Sequence, residues 1–279
     1  MSLSKTKRLL LGLTAVSGVA TFYYMNNSHK VHNSWTTNYT PSPFAKWDEN
    51  WDHRSPKYLQ NTKGSKISES DENKLNEQNE KKPKAIRHII LIRHGQYNLN
   101  GSSDTERLLT KLGRLQAEYT GKRLKELDLP YTEMVKSTMS RAQETGSIIS
   151  LHLPKIPIVE NCDLLREGAP IPPEPPLGNW KPENYKFYQD GSRIEAAFRK
   201  YFHRADADQE KDSYTILVCH ANVIRYFVCR ALQFPAEAWL RLSLNHASIT
   251  WISITPSGRC ILRVLGDTGH MPPSCITST

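Results

Sequence analysis

The sequence predicts an α/β fold: a single three-layer domain over His88–Thr279, with a mainly parallel sheet flanked by helices. Three observations predict it. His88-Ile89-Ile90-Leu91-Ile92 is a continuous apolar run of strand length, the pattern of a strand buried on both faces. Strand-length segments then alternate with segments of helical periodicity. Polar clusters follow the ends of the strands, where open α/β sheets bind their ligands.

Each element follows from local pattern. After the strand His88–Ile92, Lys111–Leu127 carries Leu112, Leu115, Tyr119, Leu124 and Leu127 at helical spacing. Tyr131–Ser137 reads as a strand, Met139–Leu151 as a helix and Ile156–Val159 as a short strand. A proline-rich stretch then leads to a helix over Asn184–His203. Tyr214–Cys219 is a second buried strand and Asn222–Leu232 a helix. Ser248–Ile254 and Cys260–Leu265 form a hairpin around Pro256-Ser257-Gly258, whose residue types favour a turn.

The region before the domain is of another kind. Residues 1–8 are basic, and Leu9–Met25 is an uncharged run of roughly 17 mostly apolar residues, the lower limit for a helix crossing a bilayer. Phe22, Tyr23 and Tyr24 stand where an interfacial aromatic belt would lie. The expectation is an N-terminal transmembrane anchor, ahead of a cleavable signal, which a charged start and Gly18-Val19-Ala20 would also fit. Residues 26–87 form a juxtamembrane and linker region. Asn61–Lys84 is polar and rich in lysine and glutamate, as solvated linkers are. Trp47, Asp48, Asn50, Trp51 and Asp52 form a compact motif whose tryptophans need cover, from another surface or from the home domain.

Charge and cysteine content narrow the functional classes. Lys5, Lys7, Arg8, Lys30 and Lys46 precede the first acidic residue, Asp48, so over half of the net charge of +9 lies near the N-terminus. The domain has no basic stripe interleaved with aromatics, which argues against nucleic-acid binding. Five cysteines without a paired spacing read as reduced thiols rather than a disulfide framework or zinc site.

Arg93-His94-Gly95 follows the first strand, Arg141 opens the helix after Ser137, and His220 follows Val218-Cys219. The topology brings two histidines and two arginines to one sheet edge. Guanidinium forks match phosphate oxygens, helix N-termini add donors, and a neutral imidazole can take a phosphoryl group. No metal-ligand cluster stands in the sequence, so the arginines would carry the charge neutralisation, and no cofactor is expected.

At these residues the chain resembles the histidine phosphatase superfamily. The matching blocks are Leu91-Ile92-Arg93-His94-Gly95-Gln96, Leu109–Ala117, Ser137–Thr145, Leu165-Arg166-Glu167-Gly168 and Val218-Cys219-His220-Ala221-Asn222. The resemblance implies that His94 is transiently phosphorylated and that Arg93 and Arg141 clamp phosphate. It further implies that His220 supports the transferred group and that Glu167 protonates the leaving oxygen and then activates water. Asn98 is a further candidate for phosphate contact. Together with the N-terminal run, the Trp47–Asp52 motif and Leu165–Pro170, these blocks resemble the mitochondrial serine/threonine protein phosphatases of that superfamily. That implies phosphoserine and phosphothreonine proteins as substrates. It also implies a mitochondrial membrane location, the outer membrane ahead of the inner, and a homo-oligomer built through Trp47–Asp52. A phosphoglycerate-type mutase or small-molecule phosphatase, and a membrane-tethered oligomeric scaffold, are the alternatives. Against the mutase, Gly168–Pro176 is proline-rich and no cation follows Glu167 before Lys181.

Overall fold

The computed structural model describes residues 46–55, 82–178 and 182–278; the apolar run Leu9–Met25 and most of the linker lie outside them. The chain divides into residues 1–47 and a compact unit, Asp48–Thr279, described here. Among the described residues no helix is long and apolar enough to cross a membrane.

The unit is built from β1 (Arg87–Arg93), α1 (Lys111–Leu127), β2 (Glu133–Ser137), α2 (Ser140–His152) and β3 (Val159–Cys162). α3 (Asn184–Tyr201), β4 (Ser213–Cys219), α4 (Ala221–Ala231), β5 (Ile249–Ile254) and β6 (Cys260–Asp267) complete it. The six strands form one sheet in the order β3-β2-β4-β1-β5-β6. β3, β2, β4 and β1 run parallel, while β5 is antiparallel to both β1 and β6. The expected mainly parallel sheet is therefore mixed, with an antiparallel hairpin on one edge.

Alternation along the central strands decides the layers. Ile90 and Ile92 of β1, Met134 of β2, and Ile216 and Val218 of β4 point to one face, where Leu124 of α1 and Ala142 and Ile149 of α2 cover them. Ile89, Leu91, Val135 and Leu217 take the opposite face and are equally buried. Each such side chain contributes about 1.5–3 kcal/mol by leaving water. The apolar run in β1 is thus continuous because both faces are covered.

Two differences in detail have physical causes. The third strand begins at Val159, not Ile156: Ile156 closes a turn with its N–H on the Leu153 carbonyl, and Pro157 has no N–H for the ladder. The helix after β4 begins at Ala221, with His220 in extended backbone at its N-cap.

Residues 48–55 lie as a strap on the domain. Trp51 is buried, its ring 5.8 Å from that of Phe198, and its indole N–H donates to the Gly258 carbonyl at 2.8 Å. Asp52 makes a fully buried ion pair with Arg204 at 3.2 Å and accepts from the Arg204 backbone N–H at 2.9 Å. The home domain provides the cover that Trp51 requires.

Candidate active site

The site forms at the carboxyl ends of β1, β2 and β4. β1 ends at Arg93, and His94 is held there by its N–H on the Cys219 carbonyl of β4 at 3.0 Å. The next turn then passes so close to α1 that side chains are excluded. A Cβ on Gly95 would strike the Gly113 backbone, and one on Gly113 would strike the Gln96 carbonyl. α1 starts at this contact, where Thr110 caps it by accepting from the Gly113 N–H at 3.0 Å. The Gly95 N–H donates to Thr145 of α2 at 3.0 Å, which fixes the loop to the helix that carries Arg141.

The histidine geometry assigns its tautomer. His94 Nδ1 lies 2.8 Å from the Gly95 carbonyl oxygen, which only accepts, so Nδ1 holds the proton. Nε2 keeps its lone pair and accepts from Arg141 Nε at 3.2 Å. Burial, then His220, then Arg141 and Arg93 hold the pKa of His94 well below the ordinary range, so the ring is neutral. The His220 ring lies 5.1 Å away and is also held neutral, first by burial and then by the surrounding arginines. Ser137 Oγ, which accepts from the Met139 N–H at 3.4 Å, is 2.8 Å from His220 Nε2.

Cations surround this pair. Arg93 donates to the carbonyls of Leu244 and Ser278 at 2.5 and 2.8 Å and lies 3.1 Å from His246 Nε2. Burial lowers its pKa to about 10, so it stays charged at neutral pH. Arg141 stacks over Tyr97, 4.6 Å from the ring centre. Arg93 Nε, Arg141 Nη1, His220 Nδ1 and Arg225 Nε are buried without a hydrogen-bond partner among the described residues. Polar atoms left so in a folded core call for an explanation. An anion with several acceptor oxygens supplies one.

Glu167 approaches from the loop after β3. Burial raises its pKa, while Arg141, the Gly168 N–H and Arg93 oppose that rise. Its loop is positioned by Arg193 of α3, which donates to the carbonyls of Leu164 at 3.0 Å, Arg166 at 2.5 Å and Glu167 at 3.0 Å, and pairs with Asp190 at 2.9 Å. No group of three or more His, Cys, Asp or Glu able to hold a metal occurs among the described residues.

The structure brings His94, Arg93, Arg141, His220 and Glu167 together. Asn98 lines a neighbouring cavity with Tyr97 and His246; its side-chain oxygen accepts from the Asn100 N–H at 3.1 Å and its amide donates to the Glu106 carbonyl at 3.4 Å. Sequence reasoning missed His246 and Arg225. His246 sits 5.7 Å from His94, ring to ring, with its pKa lowered to about 3 by burial and then Arg93. It lies between β-hairpin and loop with no periodic signal around it. Arg225 was open to detection, five residues beyond His220 and within α4, the helix that His220 caps.

Fold and site together define a phosphate-handling α/β enzyme. The histidine phosphatase superfamily (branch 1) pattern matches residues 89–169 and 174–268, and the chain belongs to that superfamily. Over 252 residues it is 58% identical to the mitochondrial serine/threonine-protein phosphatase Pgam5 of Drosophila yakuba, covering 89% of this chain and 86% of that one. The Drosophila pseudoobscura pseudoobscura protein of the same name is 56% identical over 268 residues, 94% of this chain and 92% of its own. Among solved structures, mycobacterial hydrolase 2 shares the fold, with 20% identity, a TM-score of 0.50, and coverage of 68% of this chain and 94% of that one.

Proposed function

We propose that this chain is a serine/threonine phosphoprotein phosphatase working through a phosphohistidine at His94. The observation that carries the reading is the fixed tautomer: Nδ1 is committed to Gly95, so the Nε2 lone pair faces the arginine-lined space. The N–P bond forms at Nε2 as the bond from phosphorus to the seryl or threonyl oxygen breaks, and that oxygen takes the proton of Glu167. A water then attacks phosphorus, its proton passes to the Glu167 carboxylate, and the N–P electrons return to Nε2. Arg93, Arg141 and His220 hold the phosphoryl oxygens, and the two arginines neutralise their charge, the task a metal performs in other phosphatases. Asn98 steadies the loop beside them.

The substrate class rests on the names of the Drosophila relatives, which are serine/threonine-protein phosphatases and mitochondrial. The same names, with the basic start and apolar run Leu9–Met25, support a mitochondrial membrane location, the outer membrane ahead of the inner. Self-association through Trp47–Asp52 belongs to the same reading, since the groove that seats Trp51 is present on every copy.

The test is to mix the full chain with a phosphoserine peptide, quench in base and map acid-labile phosphate. It is expected on His94, and His94→Ala should lose hydrolysis altogether while unfolding at an unchanged temperature. Undiminished hydrolysis by the folded alanine variant would overturn the assignment.

A further inference from the structure

Arg141 is held in an arrangement that phosphate would have to change. Its Nε caps the lone pair of His94 at 3.2 Å, Nη2 rests 3.6 Å from Met139 sulfur, and Tyr97 lies under the plane. The fourth neighbour is Asp104, in the short 3₁₀ turn Asp104–Glu106 that follows the loop after β1. Asp104 Oδ2 accepts from the backbone N–H and the hydroxyl of Ser140 at 3.0 and 3.2 Å, which pins the carboxylate to the start of α2. Its other oxygen faces Arg141 Nη1 at 3.6 Å. These two atoms, buried and opposite in charge, are both without a hydrogen bond. They are within ion-pair reach, yet about 0.7–0.9 Å beyond a good charge-assisted hydrogen bond.

Such a pair attracts without closing. Neither group is tied up by the other: Nη1 keeps a proton for a third party, and the carboxylate lowers the positive potential that a third party would feel. A phosphoryl group entering between His94 and Arg141 competes with the carboxylate for that cation. We infer that Asp104 is a positioning residue for Arg141, holding the guanidinium over His94 in the phosphate-free site and opposing phosphate for it. The inference rests on the reading of this site as one for a phosphoryl group. Its consequence falls at the end of the cycle, because a clamp of undiminished charge would keep the product. Asp104 sets how readily inorganic phosphate departs.

The measurement is direct binding of inorganic phosphate to the full chain, by calorimetry or phosphorus NMR, which requires no turnover. In Asp104→Asn the side-chain oxygen still accepts from Ser140 while the charge is gone. The variant should bind phosphate about fivefold more tightly, the size of one partly exposed ion pair. A merely structural residue would give the opposite sign, since damage to the clamp weakens binding. Unchanged or weaker binding by Asp104→Asn overturns the inference. Ser140→Ala serves as the second variant should the first fail to fold. With one anchor removed, the carboxylate is freed to close on Arg141, so phosphate should bind several-fold more weakly; equal or tighter binding counts against the inference. Arg141→Ala separates the two levels of the argument. If it binds phosphate as well as the unaltered chain does, the phosphate-site reading itself falls.

Discussion

Glu167 has to hold a proton when the substrate arrives and release it to the departing oxygen. Burial raises its pKa, and the incoming phosphate dianion adds to that effect. The protonated acid is the competent form, so hydrolysis of a phosphopeptide should fall as pH rises through this raised value. His94 and His220 contribute no loss on the acidic side near neutrality, because burial holds both well below 6.5. A kcat/KM profile against pH shows this directly. Glu167→Gln should remove the basic limb and cost about 10²–10⁴-fold on a phosphoserine peptide. The loss should be much smaller on an aryl phosphate whose leaving group needs no proton, and equal losses on the two would refute the acid role.

The elements differ in how plainly the residues announce them. β1 and β4 were legible because they are buried on both faces and hence apolar without interruption. The hairpin β5–β6 was legible from Pro256-Ser257-Gly258, where Gly258 takes a φ of 88° that favours glycine. β3 was misplaced because an edge strand exposes Val159, Glu160 and Asn161 and so lacks the apolar signature of its neighbours. In the site, His94, Arg93, Arg141 and His220 were visible as polar residues ending strands or opening helices. His246 was not, since the neighbouring Ala247, at φ 53° with its N–H on the His94 carbonyl, is placed by tertiary contacts alone. The strap is an element of the same kind, ordered by what it lies on. Its Asp52–Arg204 pair is fully buried, and removing either partner alone leaves a charge that costs about 3–5 kcal/mol. Trp51→Ala should lower the unfolding temperature of the chain, a loss of about 3–5 kcal/mol for a buried tryptophan. If Trp47–Asp52 also joins copies, the same variant should sediment at lower mass; unchanged mass would remove assembly from the reading.

On the scale of the whole molecule, charge divides the labour. The net positive charge gathers ahead of Asp48 with the apolar run, while the decisive cations of the domain are already engaged around His94. Residues 1–45 fused to a fluorescent reporter should therefore carry it to mitochondrial membranes. Val16→Arg, which costs about 2.5–3.5 kcal/mol at the centre of a spanning helix, should release the reporter to the soluble fraction. Membrane retention of that variant would argue against a spanning anchor.

The loop bearing Glu167 has no regular structure beyond a single turn, yet it presents the acid within a space built by the sheet. Arg193 explains how: one guanidinium gathers three successive parts of that loop and fastens them to α3. The acid is thereby indexed to a helix rather than to the strand it follows in sequence. The chain that follows is fastened separately, with the Ile171 carbonyl accepting from the Trp239 indole at 2.9 Å and the Glu174 carbonyl from Arg241 at 2.9 Å. The acid and the segment beyond it thus hang from different parts of the domain, and a shift in one need not move the proton.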